Sequence, residues 1–145
     1  MVGLIPLENG ILVRIQVSQP KICYNKFMPH PFRSKKVYEK YEKVKASEAL
    51  QKGCSLCKKA KSLKNFKHWR IVNNKFPYDK VAKIHHMVIP KRHTIYEELN
   101  KIEKEELDLI RATHINLKYE AILEATNKEK SIPDHFHLHL MVMKK

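Results

Sequence analysis

Glycine is scarce in this chain of 145 residues, where it occurs only as Gly3, Gly10 and Gly53. The phosphate-binding loop, the dinucleotide-binding fingerprint and the nucleophile elbow of serine hydrolases each need closely spaced glycines, because the backbone must turn sharply or approach a phosphate there. The three glycines of this chain lie far apart. The sequence therefore excludes the function classes that depend on glycine-rich loops.

Long apolar runs are also missing. No stretch reaches the length of about 18 apolar residues that a transmembrane helix needs. Glu8 interrupts the N-terminal segment, where a signal peptide would be continuously apolar. We therefore expect a cytoplasmic protein with no membrane partner.

Cysteine occurs three times, as Cys23, Cys54 and Cys57, which is too few for a disulfide framework. In a reducing compartment, two cysteines separated by two residues indicate half of a metal site rather than a bridge. Cys54 and Cys57 have this spacing. They therefore predict a metal site whose other ligands lie elsewhere in the chain.

Acidic residues are few in the first half of the sequence. Residues 1–67 hold 15 basic and 4 acidic residues, a net charge of +11, whereas residues 68–145 carry +3. A segment this basic attracts polyanions such as nucleic acid, acidic lipid or polyphosphate. A lysine-rich, solvated surface explains the same charge equally well, so composition alone leaves a nucleic-acid partner open.

The pattern of residues predicts secondary structure mainly in the second half. We expect strands over residues 68–73, 84–90 and 135–143, and a long helix over 100–127 that Asn100 caps with Glu103. Its predicted buried face has residues three or four apart: Leu107, Ile110, His114, Leu117 and Ala121. In the first half we expect an edge hairpin around Asn9 and Gly10, a linker over 18–34 and a solvated helix over 35–52. The fold class predicted is α+β, an antiparallel sheet packed with a long helix.

Three alternating histidines form the sharpest motif of the sequence. His135, His137 and His139 are separated by Phe136 and Leu138. On a strand, alternate side chains share one face at a spacing of about 7 Å, so the three imidazoles would lie together while the apolar residues face the core. Burying three such polar rings without hydrogen-bond partners costs free energy. Two interpretations remain, a catalytic strand and a metal-binding strand.

Three segments follow one another in the second half of the chain: WRIVNNKFPY from Trp69, HHMVIPKRH from His85 and DHFHLHLMV from Asp134. In this order they resemble the histidine-triad (HIT) superfamily of nucleotidyl hydrolases and transferases. The resemblance spans about residues 54 to 143 and is strongest to the branch with a CxxC pair, which includes diadenosine polyphosphate hydrolases and phosphorylases. It implies a HIT-like domain over 54–145, preceded by a basic N-terminal extension over 1–53.

The resemblance also implies residue roles. In the family the middle histidine of the triad attacks the α-phosphorus, which gives His137 the nucleophilic role, and His139 would hydrogen-bond the phosphate or the bridging oxygen. His85 matches a further family histidine, and its neighbour His86 would point to the opposite face. The residues expected to contact nucleotide are Asn74 at the ribose, Phe76 and Ile71 at the base, and Asn127 and Ser131 at the phosphates or leaving group.

A structural zinc ion is the cofactor that the resemblance implies. Family members with a CxxC pair complete the site with a histidine of the PKRH-like segment and the first triad histidine, here His93 and His135. Two thiolates and two imidazoles form a closed tetrahedral site with no position left for catalysis. The alternative is a pair of reduced surface thiols.

The function expected is that of a nucleotide hydrolase or nucleotidyl transferase, acting at the α-phosphate of a nucleotide or dinucleotide through a nucleotidyl-histidine intermediate. One alternative is an aprataxin-like enzyme that removes adenylate from nucleic-acid ends, with the basic half holding the polyanion. Another is a zinc-stabilised module that binds nucleotide or nucleic acid without turnover. The resemblance also makes a homodimer an expectation.

Overall fold

The computed structural model describes residues 3–6, 12–15, 30–48, 53–58, 61–126 and 130–145. A five-stranded antiparallel sheet organises the second half of the chain, with the strand order β3-β4-β5-β7-β6. Its strands are β3 (Ser62–Asn65), β4 (Trp69–Asn73), β5 (Ala82–Pro90), β6 (Ala121–Leu123) and β7 (Leu138–Met143). The predicted fold class is confirmed, and β4, β5 and β7 fall within the three predicted strands or extend them by one or two residues.

The N-terminal hairpin is present as two short paired strands, β1 (Gly3–Pro6) and β2 (Leu12–Ile15), with Pro6 opposite Leu12. The predicted turn at Asn9 and Gly10 lies outside the described residues. The predicted first helix is α1 (Lys35–Glu48), and the Ser34 hydroxyl accepts the Val37 N–H at 3.4 Å at its start. No helix in the described part of the chain is long and apolar enough to cross a membrane.

One face of the sheet packs on helix α2 (Lys101–Ile110) and forms the main core. Trp69 is fully buried there and donates its indole N–H to the Glu103 carbonyl at 2.9 Å. The core residues from the sheet and from the segments beside it are Trp69, Ile71, Val88, Phe136, Leu138 and Leu140. Because strand side chains alternate, the opposite face of β4, β5 and β7 is free to carry other residues.

The predicted helix over 100–127 is wrong at its C-terminal end. After α2 the chain forms one π-helical stretch, Arg111–Ile115, and a last short turn α3 (Asn116–Lys118), and Tyr119 is extended. A π turn holds one residue more than an α turn, so the buried face continues at Ile115 rather than His114. Leu117 is consequently 78% exposed, and Ala121 belongs to β6, which hydrogen-bonds to the edge of β7.

The predicted helix start is confirmed. The Asn100 side chain accepts the Glu103 N–H at 2.9 Å, and the Glu103 carboxylate accepts the Asn100 N–H at 2.9 Å. The same carboxylate binds Arg92 through Nε at 2.6 Å and Nη2 at 2.8 Å. Glu103 is almost completely buried, so this one side chain ties the end of β5 to the first turn of α2.

This junction gives a stability prediction. Asn100→Ala should lower the free energy of unfolding by about 1 kcal/mol, as for loss of a helix cap. Glu103→Ala should cost about 2 kcal/mol, because the Asn100 N–H and the Arg92 guanidinium, which is itself partly exposed, both lose their acceptor. The Arg92 hydrogen bonds lower the pKa of Glu103, so its contribution is present at neutral pH and is lost as the pH falls through that lowered value.

Urea unfolding at pH 7 measures these differences. Glu105→Ala is the matched control, because its carboxylate is exposed and only approaches Lys101 at 3.8 Å. Its loss should change the free energy of unfolding by less than about 0.5 kcal/mol. Equal effects of Glu103→Ala and Glu105→Ala would contradict the role given to Glu103.

Candidate functional site

The face of the sheet opposite α2 carries the imidazoles. Met87 lies opposite His139 and His85 lies opposite Met141 across β5 and β7, so all four side chains point to one side. Phe136, Leu138 and Leu140 lie in the core on the other side. The predicted separation of histidines from apolar residues is therefore present, although β7 begins only at Leu138 and His135 and His137 precede it.

Two cysteines and two histidines converge at the start of this segment. The ligand atoms of Cys54, Cys57, His93 and His135 all lie within 4.8 Å of one another. His135 Nδ1 lies 3.3 Å from Cys54 Sγ and 3.4 Å from Cys57 Sγ, and His93 Nδ1 lies 3.3 Å from Cys57 Sγ. The fold thus brings the four predicted ligands together, although Cys54 and His135 are 81 positions apart in the sequence.

The surroundings of the two imidazoles suit a metal. His135 Nε2 lies 3.2 Å from the Pro90 carbonyl and donates to it, which leaves Nδ1 without a proton and pointing at the sulfurs. His93 Nε2 lies 3.6 Å from the Asp134 carboxylate. Metal-binding histidines commonly hold their second nitrogen in this way, against a carbonyl or a carboxylate.

This donor set fits zinc. Two thiolates and two imidazoles match a closed, tetrahedral structural site, and all four positions are taken by the protein. Such an ion would link the Gly53–Lys58 loop, the end of β5 and the segment leading into β7, and it would leave no position for substrate. Gly53, at the start of that loop, has a φ of +111°, a conformation that favours glycine.

His137 follows two residues after His135 and faces a cavity. Its Nδ1 lies 2.8 Å from the His135 carbonyl oxygen and donates to it. The proton of the neutral ring is therefore on Nδ1, and Nε2 carries a lone pair. Burial lowers the pKa of His137, so that the ring is neutral at physiological pH. A neutral imidazole with a free Nε2 is competent as a nucleophile.

His139 has the opposite tautomer. The Tyr78 N–H donates to His85 Nδ1 at 2.8 Å, so the proton of His85 is on Nε2, and this N–H donates to His139 Nδ1 at 2.9 Å. His139 consequently carries its own proton on Nε2 and can donate it. Burial, with smaller contributions from the neighbouring histidines, lowers the pKa of His139 to about 3, and burial is also the main reason that the pKa of His85 is about 4. One ring thus offers a lone pair and the adjacent ring, 5.3 Å away between centroids, offers a proton.

A cavity of about 620 Å³ lies in front of these two rings. Asn74, Phe76 and Ser131, which the sequence predicts as nucleotide contacts, line this cavity, and Asn74 Oδ1 accepts the Phe76 N–H at 2.9 Å. Asn127 lies outside the described residues. The prediction that Ile71 packs against the base is wrong, because Ile71 is 1% exposed and lies in the core beside α2. Its neighbour Val72 lines the cavity instead. The one-residue difference reverses the face of β4 on which the side chain lies.

Residues before and within α1 also line the cavity, although the sequence predicts no site residue there. Arg33, Tyr41, Val44 and Lys45 belong to its wall. The Tyr41 ring contacts the Phe76 ring edge-on at 5.5 Å. The available signal was the aromatic content of a segment interpreted as linker and solvated helix, since Phe32, Tyr38 and Tyr41 are poor candidates for full solvation.

The remaining histidines contact other parts of the structure. His86 Nδ1 lies 2.7 Å from the Tyr119 hydroxyl, so His85 and His86 face opposite sides as predicted. His114 is half-buried against the Phe66 ring at 5.7 Å. Neither His86 nor His114 lines the cavity.

A scan against protein-family models and a search of curated proteins gave no match. Among solved structures the chain is similar to one titled as the crystal structure of a HIT family hydrolase from Legionella pneumophila Philadelphia 1. The two are 22% identical over 64% of this chain and 95% of that chain, with a TM-score of 0.46. A likeness at this level does not assign an activity.

Metal analysis tests the four-residue cluster. The purified chain should contain about one zinc per molecule, because its donor set is complete for that ion. Cys57→Ser should release the metal and lower the melting temperature substantially, since the Gly53–Lys58 loop then loses its attachment to His93 and His135. Cys23→Ser, at the third cysteine of the sequence, is the matched control. Protein prepared without chelator that contains no zinc would show that the four residues do not form a zinc site.

Proposed function

We propose that the chain is a HIT-type nucleotide hydrolase or nucleotidyl transferase, which acts at the α-phosphate through a nucleotide bound covalently to His137. The observation that carries this proposal is the hydrogen bond from His137 Nδ1 to the His135 carbonyl, which directs a free Nε2 lone pair into a cavity beside a donating His139. The resemblance of the three sequence segments to the HIT superfamily supports the same function.

The proposed chemistry has two displacements at phosphorus. His137 Nε2 attacks the α-phosphorus, a P–N bond forms, and the bond from phosphorus to the leaving group breaks with its electron pair on that group. His139 Nε2–H donates to a phosphoryl oxygen or to the bridging oxygen, where negative charge increases. Water, or another acceptor in a transferase, then forms a new bond to phosphorus and releases His137.

The neutral state of the imidazoles matters for both roles. A protonated His137 has no lone pair to attack with, and burial lowers its pKa below the ordinary range. Because the Tyr78 N–H donates to His85 Nδ1, both His85 and His139 carry their proton on Nε2. Burial therefore sets protonation, and backbone hydrogen bonds set orientation.

The other proposed contacts follow from the cavity lining. Asn74 would reach the ribose hydroxyls, Phe76 and Val72 would pack against the base, and Ser131 would contact a phosphate. Zinc would be held by Cys54, Cys57, His93 and His135, where it supplies structural cross-linking rather than a reaction step. A dinucleotide substrate, a homodimer and a cytoplasmic location remain predictions.

A nucleic-acid substrate is a second candidate, favoured by the charge of α1. Five of its lysines are exposed, at positions 35, 36, 40, 43 and 45, against the exposed acidic residues Glu39 and Glu42. Lys45 also lines the cavity. An adenylated nucleic-acid end could thus lie along α1 with its terminal nucleotide beside His137.

Removal of the proposed nucleophile is the main test. His137→Asn keeps size and polarity but has no imidazole, so turnover should fall by several orders of magnitude while the variant still folds and binds nucleotide. His139→Asn should cost less, since it removes a donor rather than the bond-forming atom. Rates are measured with a panel of adenylated and guanylated substrates, and a nucleotidyl adduct is sought by intact-protein mass spectrometry.

His86→Asn is the matched control, because this histidine lies on the opposite side of β5. Near-normal turnover by His137→Asn, on any substrate that the wild type cleaves, would refute the nucleotidyl-histidine mechanism. Nucleotide binding by the wild type with no turnover of any substrate in the panel would favour the non-catalytic module.

Salt dependence tests the nucleic-acid candidate. If the α1 lysines contact phosphates, oligonucleotide affinity should fall steeply with salt, with a logarithmic slope of about −0.7 per phosphate contacted for a single strand. The double variant Lys40→Glu and Lys43→Glu should weaken binding and flatten this slope. The same reversal at Lys101 and Lys104 on α2 is the control, and an equal effect of both pairs would show that only net charge matters.

A further inference from the structure

Arg33 is a buried cation in the cavity wall that the proposed mechanism does not use. The residue is 8% exposed, and its guanidinium carbon lies 4.4 Å from the centre of the Tyr41 ring and 4.7 Å from that of the Tyr78 ring. Arg33 Nε donates to the Phe76 carbonyl at 3.0 Å, and Nη1 lies 3.2 Å from Nε2 of His30, whose Nδ1 accepts the Arg33 backbone N–H at 3.0 Å. These contacts hold the guanidinium in the cavity wall, against the Tyr41 and Tyr78 rings.

No carboxylate of the described residues lies within 4.0 Å of Arg33. An ion buried to this extent is normally paired, because removing its hydration without a counter-charge is costly. The cations of the cavity lining are Arg33, Lys45 and Lys75. The acidic residue of that lining is Asp134, and it lies beside His93 at the metal cluster. The cavity therefore has an excess of positive charge on the side formed by α1.

The position of Arg33 relative to the triad is set by Tyr78. The Tyr78 ring contacts the Arg33 guanidinium and also lies 5.3 Å from the His139 ring. Arg33 is thus one ring away from His139, within the reach of a single nucleotide. It belongs to the same cavity as His137 and cannot be the group that attacks or protonates the α-phosphate.

We infer that Arg33 binds a second anionic group of the substrate, separate from the phosphoryl group that His137 attacks. The ligand class is a nucleotide with two phosphate positions, and the guanidinium fork matches phosphate geometry. This inference rests on the proposed function. The second phosphate has two sources with the same chemistry: the leaving group of a phosphoanhydride, or a phosphate on the ribose, as at a nucleic-acid end.

Binding of three nucleotides distinguishes these sources without any need for turnover. The probes are adenosine 5′-monophosphate, adenosine 5′-diphosphate and adenosine 3′,5′-bisphosphate, with the guanosine series in parallel. Titration calorimetry should show that the wild type binds one of the two probes with two phosphates about 10- to 100-fold more tightly than the monophosphate. This ratio is what one additional charge-assisted hydrogen bond provides. The preferred probe identifies the position of the second phosphate.

Arg33→Met keeps the apolar stem and removes the charge. It should reduce the affinity for the preferred probe to that of the monophosphate, and it should change monophosphate binding little. Arg33→Lys keeps the charge without the fork and should retain part of the preference. Lys83→Met, an exposed cation outside the cavity, is the control and should behave as the wild type.

Two results would overturn the inference. A wild type that binds all three probes equally has no second phosphate position. An equal loss of all three by Arg33→Met would show that Arg33 only anchors the wall formed by residues 33–45 and does not bind a second phosphate. Thermal melting checks that each variant folds. If Arg33→Met does not fold, the preference of the wild type among the three probes and the behaviour of Arg33→Lys still test the inference. Failure of the proposed function is seen separately, as the absence of a nucleotidyl adduct on His137.

Discussion

His135 is the residue on which the rest of the site depends, because three of its groups are engaged at once. Its Nδ1 faces the two cysteine sulfurs, its Nε2 donates to the Pro90 carbonyl, and its own carbonyl oxygen accepts the proton of His137 Nδ1. The ring is completely buried, so these contacts are shielded from water. The cluster of Cys54, Cys57, His93 and His135 is therefore connected directly to His137, and a displacement of the His135 ring also moves the carbonyl that fixes the tautomer of His137. A zinc ion at this place would influence the orientation of His137 through that backbone connection.

The pleat of the sheet explains why imidazoles can be buried here at all. The apolar side chains of β4, β5 and β7 are used on the α2 side, which provides the hydrophobic stabilisation, so the opposite face is available for polar rings. Burying a histidine in the charged form is costly, and burial accordingly lowers the pKa of His85, His137 and His139. The cost is offset when each neutral ring has a partner, and the main-chain groups of Tyr78 and His135 provide two of them. Protonation and tautomer thus follow from packing and backbone geometry.

The sequence predicted those features that depend on neighbouring residues. The alternation at residues 135–140, the capping box of Asn100 and the opposite directions of His85 and His86 are all local, and each is present. The prediction that Cys54 and Cys57 lie beside His93 and His135 required the family resemblance, since the spacing of the two cysteines does not identify either histidine. The π-helical stretch and β6 could not be predicted because their cause is long-range: the edge of β7 offers hydrogen bonds to residues 121–123, and the buried side of the helix shifts by one position to keep Ile115 in the core. The one-residue error at Ile71 has the same origin, because strand register is set by partners elsewhere in the sheet.

The cavity is built from segments that are far apart in the sequence. Under the proposed function, this division separates the reacting groups from the groups that would recognise the substrate. His137 and His139 come from the segment around β7, whereas one wall comes from residues 33–45 and another from the Gly53–Lys58 loop. The two walls are attached differently. Arg33 holds the first through stacking and the Phe76 carbonyl, and the Gly53–Lys58 loop is attached through Cys54, Cys57 and the hydrogen bond from Arg70 Nη2 to the Leu56 carbonyl at 2.7 Å. Neither attachment uses the groups that would react with phosphorus. A change in either wall can therefore alter which ligand fits the cavity while the His137 lone pair and the His139 proton keep their places.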